Sequence, residues 1–274
     1  MIASLLSIPH AILLGIVEGI TEFLPVSSTG HLLVVGQLIG FGTGSEQVAG
    51  DTYSIAIQFG AILAVLYLYR DRVLAMTNGM VGKSVEGRAA LLRLIVAFLP
   101  AAFIGAIAGD TLKNALFGPI PVTLAWIAGG VLILKMNPKP GALNIQNLPL
   151  RAAVIIGFAQ GLALWPGVSR SLITLVAGLA VGMSMASAIE FSFLLGLVTL
   201  SAATFLDLAK HGGELVDKFG VVSPLIGAIF AFITALAAVK WMVDYLSSRS
   251  LKIFGYYRLA VGGIAVLLLI TGAL

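Results

Sequence analysis

Cysteine is absent from the 274 residues, which removes disulfides, thiolate nucleophiles and cysteine-ligated metals together. Charge is scarce as well. Asp, Glu, Lys and Arg make up 10% of the chain, whereas a soluble domain carries about 25%. With 59% hydrophobic residues and a mean hydropathy of +1.07, the chain lacks the polar surface that a water-facing fold needs. The class expected is therefore a polytopic membrane protein. The basic residues lack clustering: the net charge is +4 and the pI near 9.4, but the 16 Lys and Arg stand at segment ends without a basic stripe. That argues against a nucleic-acid partner. Residues 1–17 lack a basic leader region and a small-residue cleavage site, so a removed signal peptide is not expected. Three tryptophans are too few to mark membrane-interface belts.

What is present is a series of long apolar runs. Six, near 53–70, 89–108, 121–136, 187–207, 222–243 and 255–274, are of a length to cross a bilayer core. Two more, 8–40 and 151–182, are interrupted by Glu22-Phe-Leu-Pro25-Val-Ser27-Ser28 and by Trp165-Pro166-Gly-Val-Ser169-Arg170-Ser171. Each reads as two half-helices joined by a polar turn, a re-entrant hairpin lining a cavity, because irregular backbone at membrane depth needs protein or water around it. Sliding the first hairpin by 142 positions onto the second gives seven identities in 22 positions, with Glu18 opposite Gln160. The fold class expected is an all-α polytopic membrane protein with six transmembrane helices, two re-entrant hairpins and an internal repeat. The repeats run approximately 1–140 and 141–274 in a single integral membrane domain. Three spans follow each hairpin, and an odd number inverts the second repeat.

Charge placement sets the orientation. Twelve cations (Arg70, Arg72, Lys83, Arg88, Arg93, Lys135, Lys139, Arg151, Lys240, Arg249, Lys252 and Arg258) fall near 70–93, 135–151 and 240–258. The other connections hold Lys113, Lys210 and Lys218 beside Glu46, Asp51, Asp110, Asp207, Glu214 and Asp217. The positive-inside rule puts the first set in the cytoplasm and both termini outside, so the hairpin tips meet near the midplane.

Few ionisable groups are left at membrane depth: Glu18, Glu22, Arg170 and Glu190, with His31 beside them. Such groups cost about 2.5–3.5 kcal/mol on insertion scales and mark pathways or sites. Glu18 and Glu22 lie four apart on one face, where two carboxylates repel unless a cation or proton intervenes. Magnesium suits a two-carboxylate site, with a shared proton or a watery vestibule as the alternative. Ser27, Ser28, Thr29 and Gly30 open the next half-helix, where hydroxyls are ordinary caps. His31, three residues after Ser28, offers it a general base, and the exposed backbone N–H groups favour phosphate. Arg170, between Ser169 and Ser171 with Thr174 a turn on, opposes the helix dipole. A bound anion explains it, or an ion pair with Glu190 or Glu22. Glu190 reads equally as structural or functional, His10 as interfacial, and Gln58 as an interhelical hydrogen-bonder.

The motifs Glu18-Gly-Ile-Thr-Glu22-Phe-Leu-Pro25-Val-Ser27-Ser28-Thr29-Gly30-His31 and Pro166-Gly-Val-Ser169-Arg170-Ser171-x-x-Thr174 resemble those of the bacterial undecaprenyl-diphosphatase family of the bacitracin-resistance type. Gln58-Phe-Gly-Ala-Ile-Leu-Ala, Glu190-Phe-Ser-Phe-Leu-Leu and Phe254-Gly-Tyr-Tyr-Arg258 extend the resemblance over the chain. It implies a phosphatase of the bacterial cytoplasmic (inner) membrane that converts undecaprenyl diphosphate to the monophosphate carrier for peptidoglycan synthesis, conferring bacitracin resistance. A divalent cation, Mg2+ or Ca2+, is implied with it. The family's essential residues fall on Glu18, Glu22, Ser28, His31 and Arg170. Leu172-Ile173 depart from the small residues usual after Ser171, which bears on the contacts of Ser171 and Thr174. The mechanism expected has Ser28 as nucleophile and His31 as its base, with attack by His31 or by water as alternatives. Ser27, Thr29, Gly30, Ser169, Ser171 and Thr174 are expected to bind substrate, and Glu18 and Glu22 the cation. The cavity is expected to open to the outer face. A transporter or flippase of a phosphorylated polyprenyl lipid is the rival, and the glycine-rich helices are compatible with a homodimer.

Overall fold

The computed structural model describes residues 6–42, 47–137 and 141–274. Glu46 and Lys139, counted among the connecting charges, lie outside the described residues, as do residues 1–5 of the stretch 1–17 and the side chain of Asp110. The described residues form eleven α-helices and a short 3-10 turn, with no strand. Two pairs are short: α1 (Ile8–Thr21) with α2 (Ser28–Leu38), and α7 (Leu150–Gly161) with α8 (Arg170–Ala180). At about 1.5 Å per residue none of these four helices alone crosses a core of about 30 Å. Between them run α3 (Gln47–Leu68), α4 (Arg70–Met80), α5 (Val85–Leu116) and α6 (Pro119–Lys135), and after them α9 (Met185–Phe219), α10 (Val222–Ser248) and α11 (Lys252–Thr271).

Local chemistry sets these boundaries. Ser84, Ser169 and Ser184 cap α5, α8 and α9 by accepting from the backbone N–H of Gly87, Leu172 and Ser187 at 3.0, 3.2 and 3.2 Å. Pro25 cannot continue α1, and residues 22–26 form a turn before α2.

Among the described residues, five helices are long and apolar enough to cross a membrane: α3, the Val85–Gly109 part of α5, α9, α10 and α11. The chain is a multi-pass membrane protein. The sixth expected span is α6, whose 17 residues are fewer than in the other five. The stretch 70–93, read as a connection, instead contains α4 packed back on the start of α5. α9 runs through Lys210, Glu214 and Lys218, which the charge pattern places in a connection. Burial follows membrane logic: α10 turns Gly227, Ala231 and Ala235 inward and leaves Leu225, Ile229 and Ile233 exposed. Small residues inside let α10 approach α1 and α3 closely, while the large ones face lipid.

Candidate active site

The turn between α1 and α2 brings several of the candidate groups together. Ser27 sits in the left-handed region with φ 74°, the one such non-glycine among the described residues. A side chain there is disfavoured and persists when surrounding contacts hold it. The next residue, Ser28, begins α2, is buried, and donates its hydroxyl to Glu22 Oε2. The other oxygen of Glu22 accepts from Arg170 Nη2 at 3.0 Å, across from the second pair of short helices. Arg170 Nη1 donates to the Ser192 carbonyl at 3.0 Å, and its guanidinium lies 5.2 Å over the Phe23 ring. With the side chains of Glu22 and Arg170 5% and 10% exposed, the pair is held in low dielectric, where charge interactions are strong.

Glu18, one turn before Glu22, is fully buried and lies against both Glu22 and Gln58. Its Oε1 has no hydrogen-bond partner. It opens on a cavity of about 550 Å³ that Ser28, Thr29, Gln58, Asp51 and Lys113 also line. Lys113, half-exposed, pairs with Asp51 at 2.9 Å.

A model of the family described as Bacitracin resistance protein BacA matches residues 11–264. The chain belongs to the BacA family. It is similar to the undecaprenyl-diphosphatase of Sorangium cellulosum, with 42% identity over 263 residues covering 93% of this chain and 84% of that one. Similarity to the undecaprenyl-diphosphatase of Nitrosomonas eutropha is 43% over 261 residues, covering 94% and 93%. For that of Nitrosomonas europaea it is 40% over 266 residues, covering 96% and 94%.

In this BacA chain the structure gathers Glu18, Glu22, Ser28, Thr29 and Arg170, and redirects the others. His31 does not meet Ser28. Its Nδ1 donates to the Ser27 carbonyl at 2.7 Å, and its Nε2 accepts from the Tyr257 hydroxyl at 2.9 Å. The ring stacks on Tyr257, centroids 5.7 Å apart, and lies 4.8 Å from Trp126. The expected Ser28–His31 pairing is thus replaced by Ser28–Glu22, because the turn at Ser27 rotates the hydroxyl toward α1 while α6 and α11 hold the imidazole. Ser27 itself is buried, and Gly30 sits against the indole of Trp126.

The second set of hydroxyls is also redirected. Ser171 Oγ donates to the Leu24 carbonyl at 2.8 Å and bonds Ser169 Oγ at 2.9 Å, while Thr174 Oγ1 bonds Ser192 Oγ at 2.6 Å. These groups join the two tips to each other and to α9, and none lines the cavity. Leu172 turns into the apolar core, so its bulk stays out of the approach to Arg170. Glu190 pairs with Arg72 of α4 at 2.6 Å, away from Arg170. Arg258, counted as a connecting cation, is completely buried.

Sequence reasoning missed the cavity role of Gln58, Asp51 and Lys113. The signal was present: Gln47, Asp51, Ser54 and Gln58 recur at helical spacing and form the polar face that α3 turns to the cavity.

Proposed function

We propose that this BacA-family chain is an undecaprenyl-diphosphatase: it cleaves the terminal phosphate of undecaprenyl diphosphate, returning undecaprenyl phosphate to peptidoglycan synthesis and conferring bacitracin resistance. One observation carries the mechanism. Glu22 accepts from the Ser28 hydroxyl with one oxygen and from Arg170 with the other. A nucleophile, its base and an anion-binding guanidinium are thereby wired through a single carboxylate.

The diphosphate enters the cavity and the polyprenyl tail lies among the apolar helices. Glu22 takes the proton of Ser28 as Oγ attacks the terminal phosphorus. The anhydride P–O bond breaks and undecaprenyl phosphate leaves with the bridging oxygen and its electron pair. Protonation cancels the charge of Glu22, so Arg170 loses its ion-pair partner at the moment when negative charge builds on the phosphoryl oxygens. The guanidinium then turns to them, where positioning and electrostatics supply most of the catalysis. Glu22 passes its proton to the leaving phosphate. It next takes a proton from the water that attacks phospho-Ser28; the P–Oγ bond breaks with its electron pair on Oγ, inorganic phosphate leaves, and Glu22 returns that proton to Oγ to restore the hydroxyl.

The unpartnered Glu18 Oε1 beside Glu22 fits a divalent cation, since two adjoining buried carboxylates call for positive charge. Glu18, with Glu22, would hold Mg2+ or Ca2+, which neutralises diphosphate charge when bound.

The cavity is lined at the ends of α3 and α5 that bear Asp51 and Lys113, opposite the cation-rich connections. This supports an opening to the outer face of the bacterial cytoplasmic membrane. The 142-residue offset between the starts of α2 and α8, at Ser28 and Arg170, supports two inverted repeats whose hairpins enter from opposite leaflets. A carrier needs anion-binding groups alone, and the Ser28–Glu22 contact exceeds that need.

The test is phosphate release from undecaprenyl diphosphate by purified protein in detergent, with and without Mg2+. The unaltered chain releases phosphate, whereas Ser28→Ala and Glu22→Gln lose about 10²–10⁴-fold in kcat. Labelled phosphate on Ser28 after acid quench supports the covalent route. Normal turnover by Ser28→Ala would sink it.

A further inference from the structure

Arg258 is the largest fully buried side chain among the described residues, and no carboxylate there pairs with it. Its partners are backbone carbonyls of three separate segments. Nη1 donates to Pro25 O at 3.4 Å and Nη2 to Gly167 O at 3.0 Å, so one guanidinium grips both tips. Nη2 also donates to Ala125 O at 2.8 Å and Nε to Trp126 O at 3.3 Å, anchoring that grip on α6. Gly129 leaves the slot in which the guanidinium lies, since a Cβ there would strike Nη2, Cζ and Nε.

The gripped positions are not arbitrary. Pro25 and Gly167 are 142 residues apart, the offset that relates the two pairs of short helices, and each stands three residues before a reacting group, Ser28 and Arg170. The carbonyls from Leu24 to Ser27 are each capped by a side chain: Ser171, Arg258, Trp126 and His31, at 2.8, 3.4, 3.0 and 2.7 Å. Four independent donors thus hold the disfavoured backbone of Ser27 from which Ser28 is aimed at Glu22. A buried unpaired cation is costly in a membrane protein, and a single neutral donor would cap any one of these carbonyls. What it could not do is reach three segments at once, which the planar five-donor guanidinium does.

We propose that Arg258 is a positioning residue for phosphoryl transfer: by holding both tips on one guanidinium it fixes Ser28 against Arg170. The role rests on the phosphatase reading. It predicts a defect in chemistry more than in binding, because Lys113, the cavity and the lipid-facing helices are untouched when the grip is lost.

The experiment compares purified unaltered protein with Arg258→Lys and Gly129→Ala on undecaprenyl diphosphate in detergent. Lysine keeps the charge but cannot span three segments, and the alanine methyl pushes the guanidinium from its slot while Arg258 remains. Helical circular dichroism and a monodisperse elution profile establish that each is folded. The expected result is a fall in kcat of at least about tenfold for both, with KM within about threefold of the unaltered chain, as a small misplacement costs rate steeply. A kcat within about twofold, or a loss carried by KM alone, overturns the proposal. Should Arg258→Lys fail to fold, Gly129→Ala decides by the same criteria. Absence of phosphate release by the unaltered chain needs no variant to see, and overturns the phosphatase reading and this role together.

Discussion

At the scale of single residues the site turns on which partner Ser28 has. A histidine three residues along a helix is within reach of a serine, so the sequence supports His31 as base. The positive φ at Ser27 and the capping of its carbonyl by His31 point the two side chains apart, and the hydroxyl goes to Glu22. This separates two residues that spacing treats alike. Asparagine places an amide N–H close to where Nδ1 donates, so His31→Asn keeps the bond to the Ser27 carbonyl, whereas Glu22→Gln removes the proposed base. We expect kcat to fall at least about tenfold further for Glu22→Gln than for His31→Asn, since a general base is worth about 10²–10⁴-fold. Equal losses measured by phosphate release would return the base to His31.

Among the elements, α9 does more than span the bilayer. It accepts Arg170 at the Ser192 carbonyl and gives it room at Gly196, where a Cβ would collide with the guanidinium. The approach of α8 to α9 therefore depends on a residue that carries no chemistry. A Gly196→Ala variant should push Arg170 off Glu22 and lower kcat/KM by about tenfold or more, with unchanged helicity, because charge-assisted hydrogen bonds lose strength steeply once misaligned. A normal kcat/KM would show that Arg170 tolerates displacement and is not held by α9. The short helices were legible in sequence because proline and clustered hydroxyls interrupt apolar runs, and that signal is local. α4 was not, since its polar character resembles a connection until it is seen packed on α5.

For the whole molecule, the proposed orientation rests on charge. Most described cations gather at the connections among α3, α4 and α5, between α6 and α7, and between α10 and α11, while Lys113, Arg170 and the buried Arg258 stand apart and the extension of α9 carries both signs. The absence of cysteine makes this directly measurable. On the proposed orientation, a membrane-impermeant maleimide should label Lys210→Cys, exposed on the extension of α9, in intact cells. Arg88→Cys, exposed at the start of α5, should react only after permeabilisation. The reverse pattern would invert the topology and move the cavity mouth to the cytoplasm.

By itself the sequence determined the membrane class and the two interrupted apolar runs, and it marked Glu18, Glu22, Ser28 and Arg170 as candidates. Hydropathy, helix-breaking residues and charges stranded in apolar runs are properties of short stretches and need no fold to be read. Only the tertiary structure decided that Glu22 joins Ser28 to Arg170, that His31 braces a turn, and that Arg258 leaves the connections to grip both tips. Those outcomes depend on the rotation of one helix against another. They also depend on partners up to 233 positions apart in the chain, which no local pattern encodes.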